Sequence, residues 1–286
     1  MVRAFKPADL TEALRLRKET ACVPLAGGTD LMVKYRNWTG LPPAFPGDVL
    51  FLSHLKELQT LERRGETLRI GAGVPLADIA AWPETPAVLR EAVRGIAAPA
   101  IRNVATLAGN VCNASPAGDG ICALYALDAR LELTSVDGTR EVSILAFITG
   151  PGRTVLRRDE LVTAVLVPRR AANIQVFRKV GTRKANALAK LSFAAVGEVK
   201  EGIVDAMALS FGAVGPTVVR STETEKRMAG KTLAEVTALA PSIVEDYAAL
   251  IVPIDDQRST AAYRKTVALN LLKSFLEGLK EKVKGI

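Results

Sequence analysis

The fold is decided by the stretch Leu25-Ala26-Gly27-Gly28-Thr29-Asp30-Leu31, in which an apolar run enters a glycine turn. Apolar residues 22–26 predict a strand, and residues 31–35 predict a helix with Thr29 or Asp30 as its cap. Because glycine has no side chain, a phosphate can approach this backbone, whose consecutive N–H groups bind anions. The stretch therefore fits a phosphate-binding loop, and an ordinary structural turn is the alternative.

A second stretch of the same kind is Ala105-Thr106-Leu107-Ala108-Gly109-Asn110. It lies within residues 95–120, of which eleven are Gly or Ala, and we expect loop-rich chain there up to a helix at 121–127. Two such loops in one domain favour a ligand that carries a diphosphate. A Rossmann fingerprint is disfavoured, because Gly71-Ala72-Gly73 is followed by Leu76 where the third glycine should fall.

The sequence gives little support for acid–base catalysis or for a metal site. His54 is the only histidine and lies in no motif, so we expect no acid–base catalytic residue in this chain. No group of His, Cys or carboxylate residues has metal-ligand spacing, and we expect no metal site. Asp119 starts the predicted helix at 121–127 and fits either an N-cap or a hydrogen bond to a ligand.

The charge, aromatic content and cysteine count of the chain disfavour several classes of protein. The chain has 286 residues and a net charge of +8, and ten basic against two acidic residues fall between 153 and 190. This segment favours a basic face for phosphates or an acidic partner, while 5% aromatic residues are too few for a base-stacking nucleic-acid surface. Three cysteines cannot supply the four ligands of an iron–sulfur cluster and are typical of a reducing compartment. We expect a cytoplasmic protein with no membrane span.

The predicted arrangement of helices and strands changes near Pro168. Before it we expect mixed helices and strands, and after it an antiparallel meander at 174–180, 191–199 and 204–213 followed by helices. The last helix carries apolar residues at i+4 spacing, with Ala268, Leu272 and Leu276 beside them, and is expected to pack in the core; the spaced residues are Tyr263, Val267, Leu271, Phe275, Leu279 and Val283.

The two glycine loops together resemble the flavin loops of one family. That family is the FAD-binding medium subunit of the molybdenum hydroxylases, which include bacterial xanthine dehydrogenases and carbon monoxide dehydrogenase. The likeness extends in order along essentially the whole chain, through Asn113-Ala114-Ser115-Pro116-Ala117-Gly118-Asp119 and residues 149–154, 159–161, 177–185, 209–217 and 255–264.

The resemblance implies an α+β fold. A two-lobed FAD-binding domain of the vanillyl-alcohol-oxidase type would span residues 1–168, with lobes at about 1–53 and 54–168. A smaller domain like that of the carbon monoxide dehydrogenase flavoprotein, an antiparallel sheet with helices, would span 169–286. The residues implied to bind FAD non-covalently are Leu25, Ala26, Gly27, Gly28, Thr29, Asp30, Leu31, Ile96, Thr106, Leu107, Ala108, Gly109, Asn110, Ser115, Asp119, Val162 and Lys179.

The resemblance also implies an activity and partners. A large subunit would hold the molybdenum cofactor, a small subunit would hold two [2Fe–2S] clusters, and FAD on this chain would pass their electrons to an acceptor such as NAD. The alternative is a scaffold subunit that has lost tight FAD binding. It is raised by Ala108, where the family usually has glycine: if that position needed a positive φ, alanine would cost about 1 kcal/mol or more.

Overall fold

The computed structural model describes residues 2–284, which form short sheets and helices in two compact units. In chain order the strands are β1 (Ala4–Phe5), β2 (Val23–Leu25), β3 (Val49–Phe51), β4 (Leu61–Arg64), β5 (Thr67–Gly71), β6 (Arg130–Ser135), β7 (Gly138–Ser143), β8 (Ile148–Gly150), β9 (Arg153–Thr154), β10 (Leu161–Pro168), β11 (Ile174–Val180), β12 (Leu191–Lys200) and β13 (Ile203–Gly212). The helices are α1 (Leu10–Glu19), α2 (Leu31–Lys34), α3 (Leu76–Ala81), α4 (Ala87–Arg94), α5 (Pro99–Arg102), α6 (Leu107–Asn113), α7 (Asp119–Ala126), α8 (Ile144–Phe147), α9 (Thr222–Lys226), α10 (Leu233–Leu250), α11 (Ala261–Glu277) and α12 (Leu279–Lys284).

The first unit comprises residues 1–85, 98–114 and 128–168 and contains two main sheets. A small parallel sheet has the order β1-β3-β2, and an antiparallel sheet has the order β4-β5-β10-β6-β7. β10 lies at the centre of the larger sheet and is buried on both faces, as its continuous apolar sequence requires. The parallel sheet falls within residues 1–53 and the larger sheet within 54–168.

The second unit comprises residues 86–97, 115–127 and 169–286 and is built on the meander β11-β12-β13. Its core is aromatic: the Phe193 ring lies 4.9 Å from that of Phe211 and 5.5 Å from that of Phe275, and Tyr247 packs on Phe211 at 5.2 Å. Phe193 and Phe211 are directly paired across β12 and β13, so the sheet itself fixes this contact.

Two segments before Pro168 pack with the second unit rather than the first. α4 contacts β11, and α7 contacts β12 and β13, because both helices bury apolar faces on the meander. The sequence pattern could not reveal this, since each helix is separated from the meander by more than forty residues of chain.

The predicted meander is confirmed to within one residue at each strand end. The last helical segment packs in the core as predicted, through Ala268, Leu272, Phe275, Leu276 and, beyond the end of α11 at Gly278, Leu279. The i+4 stripe describes the buried face only in part: Phe275 and Leu279 are buried, Val267 and Leu271 are partly buried, and Tyr263 is exposed. Residues spaced strictly four apart shift gradually around a helix that has 3.6 residues per turn. A buried face that runs straight along the helix must therefore alternate between spacings of three and four residues. The side chain of Val283 lies outside the described part of the structure.

Candidate functional site

The first predicted loop leaves the parallel sheet at Leu25, which is buried at the end of β2. At Gly27 the chain comes so close to Val104 that an added Cβ would lie 1.9 Å from the Val104 carbonyl oxygen. Gly28 has a φ of +70°, a left-handed conformation that favours glycine, and its carbonyl accepts a 2.8 Å hydrogen bond from the N–H of Met32 in α2. The two glycines therefore meet two different requirements, close approach and turn geometry.

The other residues of this loop are open to ligand on at least part of their surface. Ala26, Thr29 and Leu31 are half-buried and Asp30 is exposed. Of the two predicted caps, Asp30 occupies the position before α2, but its side chain makes no capping hydrogen bond. Its carboxylate is therefore not committed to the helix.

The second predicted loop is the start of a helix. Thr106 caps α6, its hydroxyl accepting a 3.0 Å hydrogen bond from the N–H of Gly109, and Leu107 and Ala108 occupy the first turn, both buried. The Asn110 Oδ1 atom is buried and has no hydrogen-bond partner within residues 2–284. Sequence reasoning missed α6, because a segment so rich in Gly, Ala and Asn reads as loop.

Ala108 lies in α6 and is not among the residues with positive φ. Alanine would strain this position only if its φ were positive, so the backbone penalty of about 1 kcal/mol or more does not apply. Gly109, the next residue, is the more constrained one, since a Cβ there would approach the capping Thr106 hydroxyl to 3.0 Å.

The structure brings the two loops together through Gly27, because the segment it touches, Val104 and Ala105, leads directly into α6. Val162, another predicted residue of the same unit, is buried on β10 beside a bulge between Val162 and Ala164, and α6 packs against this strand. These predicted residues thus belong to one unit with a shared loop contact.

The remaining predicted residues lie in the second unit, where Asp119 and Lys179 form a close ion pair. The Lys179 Nζ atom donates to Asp119 Oδ2 at 2.6 Å and to the carbonyl of Gly95 at 2.8 Å. Asp119 is the first residue of α7 and is not its cap, a position taken by Gly118. Of the two roles considered for Asp119, the structure therefore does not support the N-cap.

Burial raises the pKa of Asp119 to about 6, and the charge and hydrogen bond of Lys179 oppose that rise. The Asp119 Oδ1 atom is buried and finds no hydrogen-bond acceptor or donor among the residues that the structure describes. A buried carboxylate oxygen without a partner is costly, so this atom is suited to accept a hydrogen bond from a ligand.

Ile96 directly follows Gly95, and Ser115 lies four residues before Asp119; both are half-buried. The Ser115 hydroxyl accepts a 3.3 Å hydrogen bond from the N–H of Ala117, and its carbonyl accepts one from Gly118. Gly95, which precedes Ile96, was not predicted as a site residue although its carbonyl holds Lys179. Because Gly95 ends α4, a turn could be predicted there, but nothing in the sequence indicates its contact with Lys179.

Residues 2–284 contain neither a candidate metal site nor a candidate membrane span. No group of three or more His, Cys, Asp or Glu side chains in residues 2–284 is placed to hold a metal ion. Within the same range, no helix is both long and apolar enough to cross a bilayer.

Comparison with known families matches residues 1–170 to the FAD binding domain in molybdopterin dehydrogenase, and residues 176–279 to the CO dehydrogenase flavoprotein C-terminal domain. The chain belongs to this flavoprotein family. Its first 170 residues are therefore an FAD-binding domain, and the chain is an oxidoreductase flavoprotein subunit, as the sequence resemblance predicted.

Individual relatives of this flavoprotein are similar along their full length. The glyceraldehyde dehydrogenase medium chain of Sulfolobus acidocaldarius is 32% identical, with 94% of this chain and 95% of that protein covered. The nicotinate dehydrogenase FAD-subunit of Eubacterium barkeri is 28% identical, with 98% and 97% covered. The carbon monoxide dehydrogenase structure from Hydrogenophaga pseudoflava shares the fold, with a TM-score of 0.87 at 24% identity over 98% of both chains.

The residues present fit FAD. Gly27 and Gly28 carry no side chain and are only half-buried, so part of the loop backbone is accessible, as a pyrophosphate site needs. The orphaned acceptors Asn110 Oδ1 and Asp119 Oδ1 suit the hydroxyl and N–H donors that a flavin dinucleotide carries.

Proposed function

We propose that this flavoprotein is the electron-transfer subunit of a molybdenum-containing hydroxylase. It would take electrons from [2Fe–2S] clusters on a small partner subunit and pass them through FAD to an acceptor such as NAD. The observation that carries the proposal is the Gly27–Val104 contact, which joins two glycine loops inside an FAD-binding domain.

The chain's own residues have two tasks in this proposal. The loops at residues 25–31 and 106–110, with Val162, bind the dinucleotide, and Ile96, Ser115, Asp119 and Lys179 complete the site. Bound FAD supplies the redox chemistry, since it accepts electrons and releases them again.

Lys179 contributes charge rather than proton transfer. Two of its three N–H groups bind Asp119 and Gly95, which fixes the position of the ammonium group. A fixed positive charge beside a flavin favours its reduction. By resemblance to the family, we propose that Lys179 lies next to the flavin ring and has an electrostatic role there.

The partners follow from the composition and from the names of the relatives. Three cysteines are too few for a cluster on this chain, so the clusters and the molybdenum cofactor belong to other subunits. The named relatives are a medium chain and an FAD-subunit, both of which are parts of larger complexes by name. We further propose that the domains span 1–168 and 169–286, a division that the family matches at 1–170 and 176–279 support. We also propose that the complex is cytoplasmic.

The scaffold alternative rests on Ala108. Since Ala108 has helical backbone at the start of α6, alanine imposes no conformational cost there. The backbone conformation at this position does not favour loss of FAD, so we prefer the electron-transfer proposal.

The experiment is spectroscopic. The purified chain is incubated with FAD, desalted, and mixed without oxygen with the reduced iron–sulfur subunit of its complex. We expect retained flavin absorption bands, released as free FAD on denaturation, and bleaching of those bands on mixing. A chain that retains no FAD in the assembled complex would support the scaffold alternative, and retained FAD that is never reduced would contradict the electron-transfer role.

A further inference from the structure

Residues 115–119, which we call the α7 turn because they lead into that helix, are fixed by backbone hydrogen bonds within the second unit. Inside the turn, the N–H of Gly118 donates to the carbonyl of Ser115 at 3.0 Å. From outside it, the N–H of Ala213 donates to the carbonyl of Pro116 at 2.7 Å. The second bond ties the turn to the end of the meander.

The α7 turn is held from both outer strands of the meander. On β11, the Lys179 ammonium group binds the Asp119 carboxylate at 2.6 Å. On the other side, Ala213 directly follows Gly212, the last residue of β13. Lys179 and Gly212 are both paired with Ser192 of β12, so the two attachments lie in one row across the sheet. The position of Asp119 therefore depends on the Ala213 contact as well as on Lys179.

Ala213 has a backbone conformation that alanine does not favour. Its φ is +61°, in the left-handed region, where the Cβ atom crowds the following carbonyl oxygen. A conformation of this kind persists only where the surrounding structure imposes it. Because β13 ends at Gly212, the sheet does not supply that constraint, and another group must hold Ala213.

The side chain that holds Ala213 is Arg264 on α11. Its Nη1 atom donates to the Ala213 carbonyl oxygen at 3.3 Å, and its Nη2 atom donates to Asp256 Oδ1 at 2.6 Å. Arg264 is only 3% exposed, so water does not compete strongly for these bonds. The planar guanidinium also fixes the direction of each bond, which a flexible ammonium group would not do.

Asp256 is itself held in place. Its Oδ1 atom accepts hydrogen bonds from the N–H groups of Arg258 at 2.8 Å and Ser259 at 3.2 Å, and its Oδ2 atom accepts one from Arg258 Nη2 at 2.8 Å. The Arg258 N–H, together with the guanidinium groups of Arg264 and Arg258, holds the pKa of the Asp256 carboxyl well below its usual range. Asp256 is therefore a charged anchor for the buried guanidinium.

We propose that Arg264 is a positioning residue for the flavin site. It holds Ala213 in the left-handed conformation, and the N–H of Ala213 in turn keeps the α7 turn, with Asp119, in place for FAD. The inference rests on the proposed function, in which the α7 turn binds FAD. Arg264 acts through the backbone of Ala213 and has no contact of its own with the cofactor.

This role has a consequence that a general contribution to folding lacks. Without Arg264, the Ala213 carbonyl loses its charged donor, and alanine relaxes from the left-handed region. Glycine adopts that region about as readily as any other, so glycine at position 213 should keep its N–H on Pro116 even without Arg264. Ala213→Gly should therefore rescue a variant that lacks the guanidinium.

The test uses the full chain and four variants: Arg264→Met, Ala213→Gly, the double variant Arg264→Met/Ala213→Gly, and the control Arg227→Met. Arg227 belongs to the same unit and pairs with Asp246 and Ser242, and these contacts do not involve the α7 turn. Three quantities are measured. They are the dissociation constant of FAD, the flavin midpoint potential, and the denaturant midpoint of unfolding without FAD.

We expect Arg264→Met to weaken FAD binding about tenfold, the loss that removal of one hydrogen bond from a charged donor brings. Its flavin potential should become more negative, because the Asp119–Lys179 pair is held less firmly. Ala213→Gly and the double variant should bind FAD within about threefold of wild type. Arg227→Met should keep the wild-type affinity and potential, even where it lowers the denaturant midpoint.

Two results would overturn this inference alone. One is an Arg264→Met variant whose FAD affinity and potential both match wild type. The other is a double variant that binds FAD as weakly as Arg264→Met, since Arg264 would then not act through Ala213.

The design also covers loss of folding and failure of the proposed function. Should Arg264→Met not fold, Arg264→Lys replaces it with the same expectations, because lysine keeps the charge beside Asp256 but lacks the planar group. If the wild-type chain itself retains no FAD, the proposed function fails together with the inference.

Discussion

Gly27→Ala tests the contact between Gly27 and Val104, on which the proposed FAD site depends. Gly27 has no positive φ, so alanine fits its backbone and the effect of the change is steric alone. The new Cβ would lie 1.9 Å from the Val104 carbonyl oxygen, 2.6 Å from its carbonyl carbon and 2.9 Å from the Cα of Ala105. All three are backbone atoms, so no side-chain rotation can relieve the overlap.

The size of the effect follows from these distances. To reach even 3.0 Å, which is the lower limit for real Cβ contacts, the two segments must separate by more than 1 Å. Overpacking of this kind costs about 1–3 kcal/mol. Because 1.4 kcal/mol is a factor of ten, FAD affinity should fall between about fivefold and about a hundredfold if the loops separate when FAD is bound.

Two measurements distinguish a loss of stability in the FAD-free protein from a loss of FAD affinity. The dissociation constant of FAD is obtained from quenching of flavin fluorescence, and the free energy of unfolding without FAD from denaturant titration. The control is Gly65→Ala in the turn between β4 and β5, where φ is +55° and no atom lies within 4 Å of the added Cβ. It should lose about 1 kcal/mol of stability through backbone strain and keep the wild-type affinity for FAD.

The outcome that refutes the reasoning is specific. If Gly27→Ala binds FAD as tightly as wild type and unfolds at the same denaturant concentration, the Gly27–Val104 contact does not exist as described. If only stability falls, the loops separate in the empty protein but FAD does not depend on their spacing.

Three further variants test the rest of the site. Ala108→Gly should leave FAD affinity within about twofold, because Ala108 is helical, and should cost about 0.5–1 kcal/mol of stability, so a large gain in affinity would contradict this. Asp119 has its pKa raised to about 6, so it stabilises the fold below the unfolded pKa of about 4 and loses that contribution as pH rises through 6. Relative to Asp119→Asn, wild type should therefore lose up to about 3 kcal/mol between pH 4 and pH 7 in denaturant titrations, and parallel pH profiles would contradict the burial of this carboxyl. Lys179→Met should make the flavin midpoint potential more negative, measured by dye-coupled reduction, and an unchanged potential would show that Lys179 carries no charge role.

Much of the candidate site could be proposed from residues close together in the chain. The glycine pair at 27 and 28, the hydroxyl of Thr106 and the acidic Asp119 all belong to short motifs whose chemistry is readable without a fold. The meander was predictable for the same reason, since alternating strands and the turn at Glu201-Gly202 are local signals.

Predictions failed where packing overrides local pattern. α6 reads as loop from its Gly, Ala and Asn content, yet it forms because Thr106 caps it and its apolar residues pack against β10. The buried face of α11 begins with Arg264, a residue that no hydropathy pattern would select; it is buried because its guanidinium binds the Asp256 carboxylate at 2.6 Å and the Ala213 carbonyl.

The sequence by itself determined the family and predicted the two glycine loops as its cofactor site, because phosphate and flavin binding need particular groups at particular local spacing. Only the tertiary structure decided that Gly27 touches Val104 and that Lys179 bonds to both Asp119 and Gly95. The physical reason is that these partners lie sixty or more residues apart in sequence. Their contact is fixed by how sheets and helices pack, which no local pattern encodes.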